Sequence, residues 1–322
     1  MSNTVTIKVP ARLHLGFLNP GGDVGRQFGS VGLALSEPQT VVTLSRSREA
    51  VAEGPDSARA AAHLDKVRRR LGIRDDHRLV VEQAIPPHAG LGSGTQIALA
   101  VALAVRALHD LPPNPRDDAT LLSRGARSGI GIASVVDGGV IVDAGRSERG
   151  GLPPVVARLP FPDDWRVILI LDRGGQGLHG ADEIEAFRRL PPFPQSGVGE
   201  ICRHVLTGLM PALIERDIDG FGAAVSAVQR LVGAHFAPVQ GGVFTSGRVE
   251  AVASRLERTG AVGIGQSSWG PTGFAFAASE AEAAGMIAAV RGMTGSEVEI
   301  RIVRGRNFGA MVCPARLDMV ES

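Results

Sequence analysis

The sequence predicts a two-domain α+β protein. Extended and helical patterns mix along the chain without strict strand–helix alternation, and a proline-rich link, Pro160-Phe161-Pro162, separates two stretches that are each long enough for a domain. A length of 322 residues with 44% hydrophobic content supports a substantial core. The expected domains are residues 1–160 and 161–322.

The elements follow in order. Residues 4–10 and 40–44 read as strands, 58–71 as an amphipathic helix and 79–84 as a further strand. A glycine-rich loop then opens an apolar helix over 96–109. Pro112, Pro113 and Pro115 interrupt the chain before a short helix around 117–127 and a glycine-rich turn. Residues 135–142 and 155–159 read as β, and 165–171 as a buried strand. In the second half, helices are expected over 181–189, 199–216, 218–231, 246–258 and 279–290, with strands over 273–278, 298–303 and 309–312.

Composition excludes several classes of function. With 34 basic and 33 acidic residues the net charge is +1, there is no tyrosine, and aromatics are 4%, so a nucleic acid would find neither a basic stripe nor stacking platforms. Lys8 and Lys66 are the only lysines; the other cations are arginines, shaped for bidentate contact with phosphate or carboxylate. Cys202 and Cys313 support neither a disulfide framework nor a cysteine metal cluster, which fits a reducing compartment. No stretch approaches the ~20 apolar residues of a membrane span, and Met1-Ser2-Asn3-Thr4 carries no signal-peptide features. A cytoplasmic protein without membrane or nucleic-acid partners is expected.

The segment Gly90-Leu91-Gly92-Ser93-Gly94-Thr95 carries the chemistry. Its glycines let backbone N–H groups converge, the helix start adds roughly half a positive charge, and Ser93 and Thr95 offer hydroxyls, which together make a cradle for an anion. A plain helix cap uses similar residues, but three glycines in five positions exceed what a cap requires. The spacing matches neither the P-loop nor the dinucleotide-binding fingerprint.

Two further motifs flank this loop in the chain: Val9-Pro10-Ala11-Arg12-Leu13-His14-Leu15-Gly16-Phe17, and Gly263-Ile264-Gly265-Gln266-Ser267-Ser268-Trp269-Gly270-Pro271-Thr272. Their order resembles that of the GHMP kinase superfamily. The resemblance spans the chain and implies a ribosomal-protein-like N-terminal domain, a ferredoxin-like C-terminal domain and a ligand in the cleft between them. Kinases of that superfamily usually carry an acidic base at the position of Gly131, in Ser128-Gly129-Ile130-Gly131, where this chain has no side chain. The motifs are similar instead to those of the β-ribofuranosylaminobenzene 5'-phosphate synthases of methanopterin biosynthesis. That resemblance implies condensation of phosphoribosyl pyrophosphate with 4-aminobenzoate or 4-hydroxybenzoate, releasing carbon dioxide and pyrophosphate, with Mg²⁺ as cofactor and a homodimer as the assembly. An ATP-dependent small-molecule kinase is the alternative, and a silent sugar-phosphate sensor a third reading.

Site residues can be assigned on this basis. Arg12 and His14 alternate with Leu13 and Leu15, so an extended strand turns both to one side, where they line the site or meet solvent. Arg12 would hold an anion, His14 would donate a hydrogen bond or move a proton, and Arg26 is a second anion-binding candidate. Arg124 and Arg127, three apart on the expected helix, clamp a sugar phosphate or make structural ion pairs. Gln266, Ser267, Ser268 and Gly270 form the third loop, and Trp269 either walls an aromatic ring or braces that loop. Asp143 and Asp172 each follow an apolar run and are candidate Mg²⁺ ligands or ordinary turn residues.

Overall fold

Strand β1 (Thr4–Asn19) pairs antiparallel with β2 (Arg26–Ser47), and the two form the spine of the molecule. The computed structural model describes residues 3–21, 25–175, 177, 185, 186, 188–293 and 295–314. Both strands run far beyond the lengths expected from their valine- and threonine-rich cores. In β2 the extra length is the glycine-containing stretch 26–39, held extended by pairing to β1, β5 (Val140–Asp143) and β6 (Arg146–Ser147) rather than by its own propensity.

A register shift between Pro10 and Arg12 lets β1 serve two cores. Before it, Val5, Ile7 and Val9 pack among the helices of the first half; after it, Ala11, Leu13, Leu15 and Phe17 join the core shared with the second half. One extra residue on a strand exchanges its two faces, so the side chain of Arg12 falls on the side that carried Val5, Ile7 and Val9; a second shift follows between His14 and Gly16, and the His14 ring packs on Phe17.

Over that first face lie α1 (Ser57–Leu71) and α2 (Ser93–Leu108), with α3 (Pro115–Leu121) and α4 (Ile130–Val136) beside them. Every residue of α2 from Gln96 to Val105 is buried, as a helix apolar on all sides requires. The sheet is completed by β3 (Val51–Glu53), β4 (Asp76–Gln83) and β7 (Val155–Leu159). The helix expected over 117–127 stops at Leu121, and Ser123 and Gly125 then take positive φ, so Arg124 and Arg127 stand on a loop instead of one helical face. Val135 and Val136, expected to open a strand, finish α4; burial of Ile132 and Val135 against α2 outweighs β-branched propensity.

The second half is built on an antiparallel sheet in the order β11 (Val298–Val303), β8 (Arg166–Asp172), β10 (Gly273–Ala277), β9 (Val262–Gln266). One face packs on α8 (Gly247–Arg258) and α9 (Glu280–Ala288). The other meets α7 (Ile218–Gln240), preceded by α5 (Gln195–His204), a π-helical turn at Val205–Leu209 and α6 (Met210–Glu215). The helix expected over 181–189 falls mostly outside the described residues. The last strand, β12 (Met311–Pro314), leaves the second half and pairs with β1 at the edge of the first sheet. Among the described residues no helix is long and apolar enough to cross a membrane.

Candidate active site

The glycine loop between β4 and α2 is shaped by left-handed backbone at Gly90 (φ 76°) and Gly92 (φ 84°), and Gly92 is the N-cap of α2. No side chain caps this helix and no acidic residue stands in its first turn, so its leading N–H groups carry the positive end of the helix dipole without a protein counter-charge on the helix itself. Space dictates glycine as much as φ does. A Cβ on Gly90 would lie 2.2 Å from the Ser267 carbonyl oxygen, and one on Gly92 would lie 3.0 Å from Arg12 Cγ.

The three sequence motifs meet here. Arg12 Nη1 donates to the Gly90 carbonyl at 2.5 Å, and the Arg12 amide donates to the Leu91 carbonyl at 3.1 Å. From the third motif, Ser267 Oγ donates to Gly90 O at 2.7 Å and accepts from the His14 amide at 2.9 Å. Gln229 on α7 ties the first motif to the third, donating to Leu15 O at 2.7 Å and accepting from the Gln266 amide at 2.9 Å. Nothing local in the sequence marks Gln229 as a site residue, since it is a glutamine on an amphipathic helix.

His14 is 2% exposed and its ring lies 4.4 Å from that of Phe17. Burial, reinforced by the Arg12 charge, holds its pKa well below the ordinary histidine value, so the ring is neutral at pH 7. Its Nε2 is buried without a hydrogen-bond partner. His14 and Ser268 border a pocket of about 20 Å³, enough for one water-sized group.

On the opposite side of the loop, cations gather. A Cβ on Gly94 would lie 3.1 Å from Arg124 Nη1 and 3.5 Å from Arg59 Nη1. His63, one turn beyond Arg59 on α1, is 5% exposed with both ring nitrogens unpartnered. Burial, then the charges of Arg124, Lys66 and Arg59, lower its pKa to about 4. Arg59 and His63 were invisible as site residues in the sequence because a basic face on an amphipathic helix ordinarily faces solvent.

Gly131, the position of the absent base, faces the loop as well. A Cβ there would lie 3.1 Å from Thr95 Cγ2, and Gln96 Nε2 donates to the Gly131 carbonyl at 3.3 Å. A side chain at this position would therefore reach the cradle.

Other candidates hold structure. Gln266 Oε1 accepts from the Thr245 amide at 2.7 Å and from its hydroxyl at 2.9 Å, and Trp269 is buried with its ring 4.4 Å from Phe236, so both brace the third loop. At Gly270 a Cβ would meet Thr245 Oγ1 at 2.4 Å. Arg26 donates to Ala144 O at 2.8 Å and Gly145 O at 2.9 Å, fastening the turn after β5 instead of joining Arg12.

The two aspartates are not arranged as metal ligands. Asp143 accepts from the amides of Gly129 and Gly145, each at 2.9 Å, and from Ser128 Oγ at 3.3 Å; burial nevertheless raises its pKa to about 6. Asp172 accepts from Ser246 Oγ at 2.6 Å, from the amides of Gly174 and Gly175, and from Arg248 Nη1 at 3.3 Å. Burial pushes the Asp172 carboxyl up, but these donors together hold it below its usual value. Among the described residues no group of three or more potential ligands is placed to hold a metal ion. Among the described residues, Asp143 and Asp172 form no protein-held Mg²⁺ cage.

Comparison with known proteins accords with this geometry. The GHMP kinases N terminal domain family matches residues 58–145, and the GHMP kinases C terminal family matches residues 209–293. A protein of Methanothermobacter thermautotrophicus named beta-ribofuranosylphenol 5'-phosphate synthase is 32% identical, covering 95% of this chain and 98% of the relative. A protein of the same name from Archaeoglobus fulgidus is also 32% identical, with the same coverage. Among solved structures, homoserine kinase from Cytophaga hutchinsonii superposes with a TM-score of 0.71 at 18% identity, over 97% of this chain and 98% of that one, a likeness of fold alone.

Proposed function

The chain belongs to the GHMP kinase superfamily and, within it, to the family of the β-ribofuranosylphenol 5'-phosphate synthases; from that premise we propose that it joins phosphoribosyl pyrophosphate to 4-hydroxybenzoate or 4-aminobenzoate. The observation that carries this reading is the environment of the glycine loop. It is ringed by Arg12, Arg59 and Arg124, while Gly131, directed at Thr95, offers no carboxylate to deprotonate a substrate alcohol. Such a surface suits departure of a polyanion better than activation of a hydroxyl.

The reaction balances as follows. The bond between the sugar's anomeric carbon and the pyrophosphate oxygen breaks, and its electron pair leaves with pyrophosphate. The ring carbon bearing the carboxylate bonds to the anomeric carbon, assisted by electron release from the para substituent. The carbon–carboxylate bond then breaks, carbon dioxide departs, and its electron pair restores the aromatic ring.

Each residue has a task within that scheme. The N–H groups opening α2 and the Arg12 guanidinium receive the charge growing on pyrophosphate. Neutral His14, with Nε2 uncommitted, accepts a hydrogen bond from the para hydroxyl or amino group and supports its electron release. Gln229, Gln266 and Ser267 hold the two loops together and keep water from the activated sugar. Mg²⁺ would enter with the diphosphate and supply its counter-charge.

The test is incubation with phosphoribosyl pyrophosphate and carboxyl-labelled 4-hydroxybenzoate or 4-aminobenzoate, with and without Mg²⁺. Labelled carbon dioxide released only when both substrates are present supports the synthase. ATP consumption with a small alcohol and no such release would replace it with a kinase.

A further inference from the structure

We propose that Arg59, His63 and Arg124 form a second phosphate-binding subsite beside Gly94, separate from the turn at Gly90 and Gly92. The inference deepens the synthase reading, on which it rests only for the identity of the phosphorylated substrate.

Arg59 and Arg124 bring guanidinium groups to the same glycine, at 3.5 and 3.1 Å from the place of its absent Cβ, and the first turn of α2 contains no acid to separate them. Two like charges held together, with a helix dipole of the same sign beneath them, are unfavourable unless an anion completes the arrangement. Asp56 pairs with Arg59 Nε at 3.3 Å, which fixes that side chain and leaves the remainder of its fork directed elsewhere. Arg124 Nε is buried without a hydrogen-bond partner, as are both nitrogens of His63.

Unmet polar groups of this kind cost free energy inside a protein, and the three unpartnered atoms belong to Arg124 and His63, on two separate segments. Arg59, His63 and Lys66 fall on one face of α1 at helical spacing, with Lys66 exposed at the rim. Arg124 approaches from the loop after α3. Two planar guanidinium forks and an imidazole N–H suit the three terminal oxygens of a phosphoryl group better than the two of a carboxylate. Glycine at 94 is what admits them to the helix start; a side chain there would separate the cations from the leading N–H groups.

A substrate with phosphate at both ends requires two anion positions. The subsite beside Gly94 takes one end and the Gly90–Gly92 turn takes the other.

Calorimetry on the full chain tests this with two probes, ribose 5-phosphate and inorganic pyrophosphate, each titrated into wild type and the double variant Arg59→Gln/Arg124→Gln. The double variant is expected to bind one probe at least tenfold more weakly. Loss confined to ribose 5-phosphate assigns the sugar-phosphate end to the subsite; loss confined to pyrophosphate assigns the leaving group. Both probes binding the variant within twofold of wild type, with its thermal unfolding unchanged, would overturn the proposal, as would failure of wild type to bind either.

An independent measurement guards against a misfolded variant. The imidazole resonances of His63, identified by their absence in His63→Gln, should move when a probe is added to wild type; unmoved resonances sink the subsite. These readouts need no turnover, so an inactive protein that still binds through Arg59 and Arg124 would remove the synthase reading and leave the subsite standing.

Discussion

At the C-terminal end of α2, Arg106 sends two hydrogen bonds, 2.7 and 2.8 Å long, to the buried carboxylate of Asp118, whereas at the N-terminal end Arg124 approaches Gly94 with its Nε buried and unpartnered, beside Arg59, whose own Nε meets Asp56 at 3.3 Å. The same residue type therefore performs two jobs on one helix. Arg106 complements the negative end of the dipole, is neutralised by Asp118 and locks α3 onto α2. Arg124 stands at the positive end, where a cation opposes the dipole and burial disfavours its charge. The Arg106 charge is neutralised within the protein, whereas among the described residues the Arg124 charge has no acidic partner.

Breaking the paired end should have the largest effect. Asp118→Ala leaves Arg106 buried without its counter-ion and is expected to lower stability by about 3–5 kcal/mol in urea unfolding, with pyrophosphate affinity unaltered. A cost below about 1 kcal/mol would mean that the two ends do not differ in kind.

Substitution at the binding end should leave secondary structure intact and damage affinity. Gly92→Asp places a carboxylate against Arg12, whose Cγ lies 3.0 Å from the new Cβ, and fills the cradle with charge of the ligand's own sign. Pyrophosphate binding by calorimetry should weaken roughly 100-fold, about 2.7 kcal/mol. Unchanged affinity would remove the loop from the mechanism.

A smaller and sharper difference lies in two histidines, His63 near the first end and His77 near the second, each with a pKa lowered to about 4. For both, burial is the leading cause. Arg124, Lys66 and Arg59 add to it at His63, while His109, whose Nε2 lies 2.9 Å from that of His77, adds to it there. Each is neutral in the folded chain and more easily protonated when unfolded, so its contribution to stability is complete above about pH 6.5 and is lost as pH falls toward 4. The loss approaches about 1.4 kcal/mol per pH unit for each ring. Saturation with whichever of ribose 5-phosphate and pyrophosphate the subsite takes, followed by NMR titration, should raise the His63 pKa and leave that of His77 in place. Equal shifts at both would show that the cations around His63 are not where the anion binds.

Much of this arrangement was legible in the chain. The fold class followed from hydrophobic periodicity, and α1, α2, β7, β8, α8 and β11 follow their expected ranges within a few residues because each carries its own pattern. The glycine loop announced itself through three glycines, of which Gly90 and Gly92 take positive φ and Gly94 leaves room for the Arg124 and Arg59 side chains. The superfamily followed from the order of three motifs. The bulge at Pro10–Arg12, the helical state of Val135 and Val136, and the return of Met311–Pro314 to the first sheet were not legible, because pairing and packing with distant segments decide each of them.

The same division runs through the site. The sequence by itself determined which backbone could wrap an anion and that no acid stands at position 131, since both are properties of residue type at a given place. Only the tertiary structure decided the company that backbone keeps. It set Arg12 and Ser267 against Gly90, drew Arg59 to Gly94 from a helix some thirty residues earlier with His63 among the same cations, and spent Asp143 and Asp172 on neighbouring amides. The physical reason is that an electrostatic site is a sum over distances in space, and β1, α1 and the third loop reach the cradle through long-range contacts that leave no local mark on the chain.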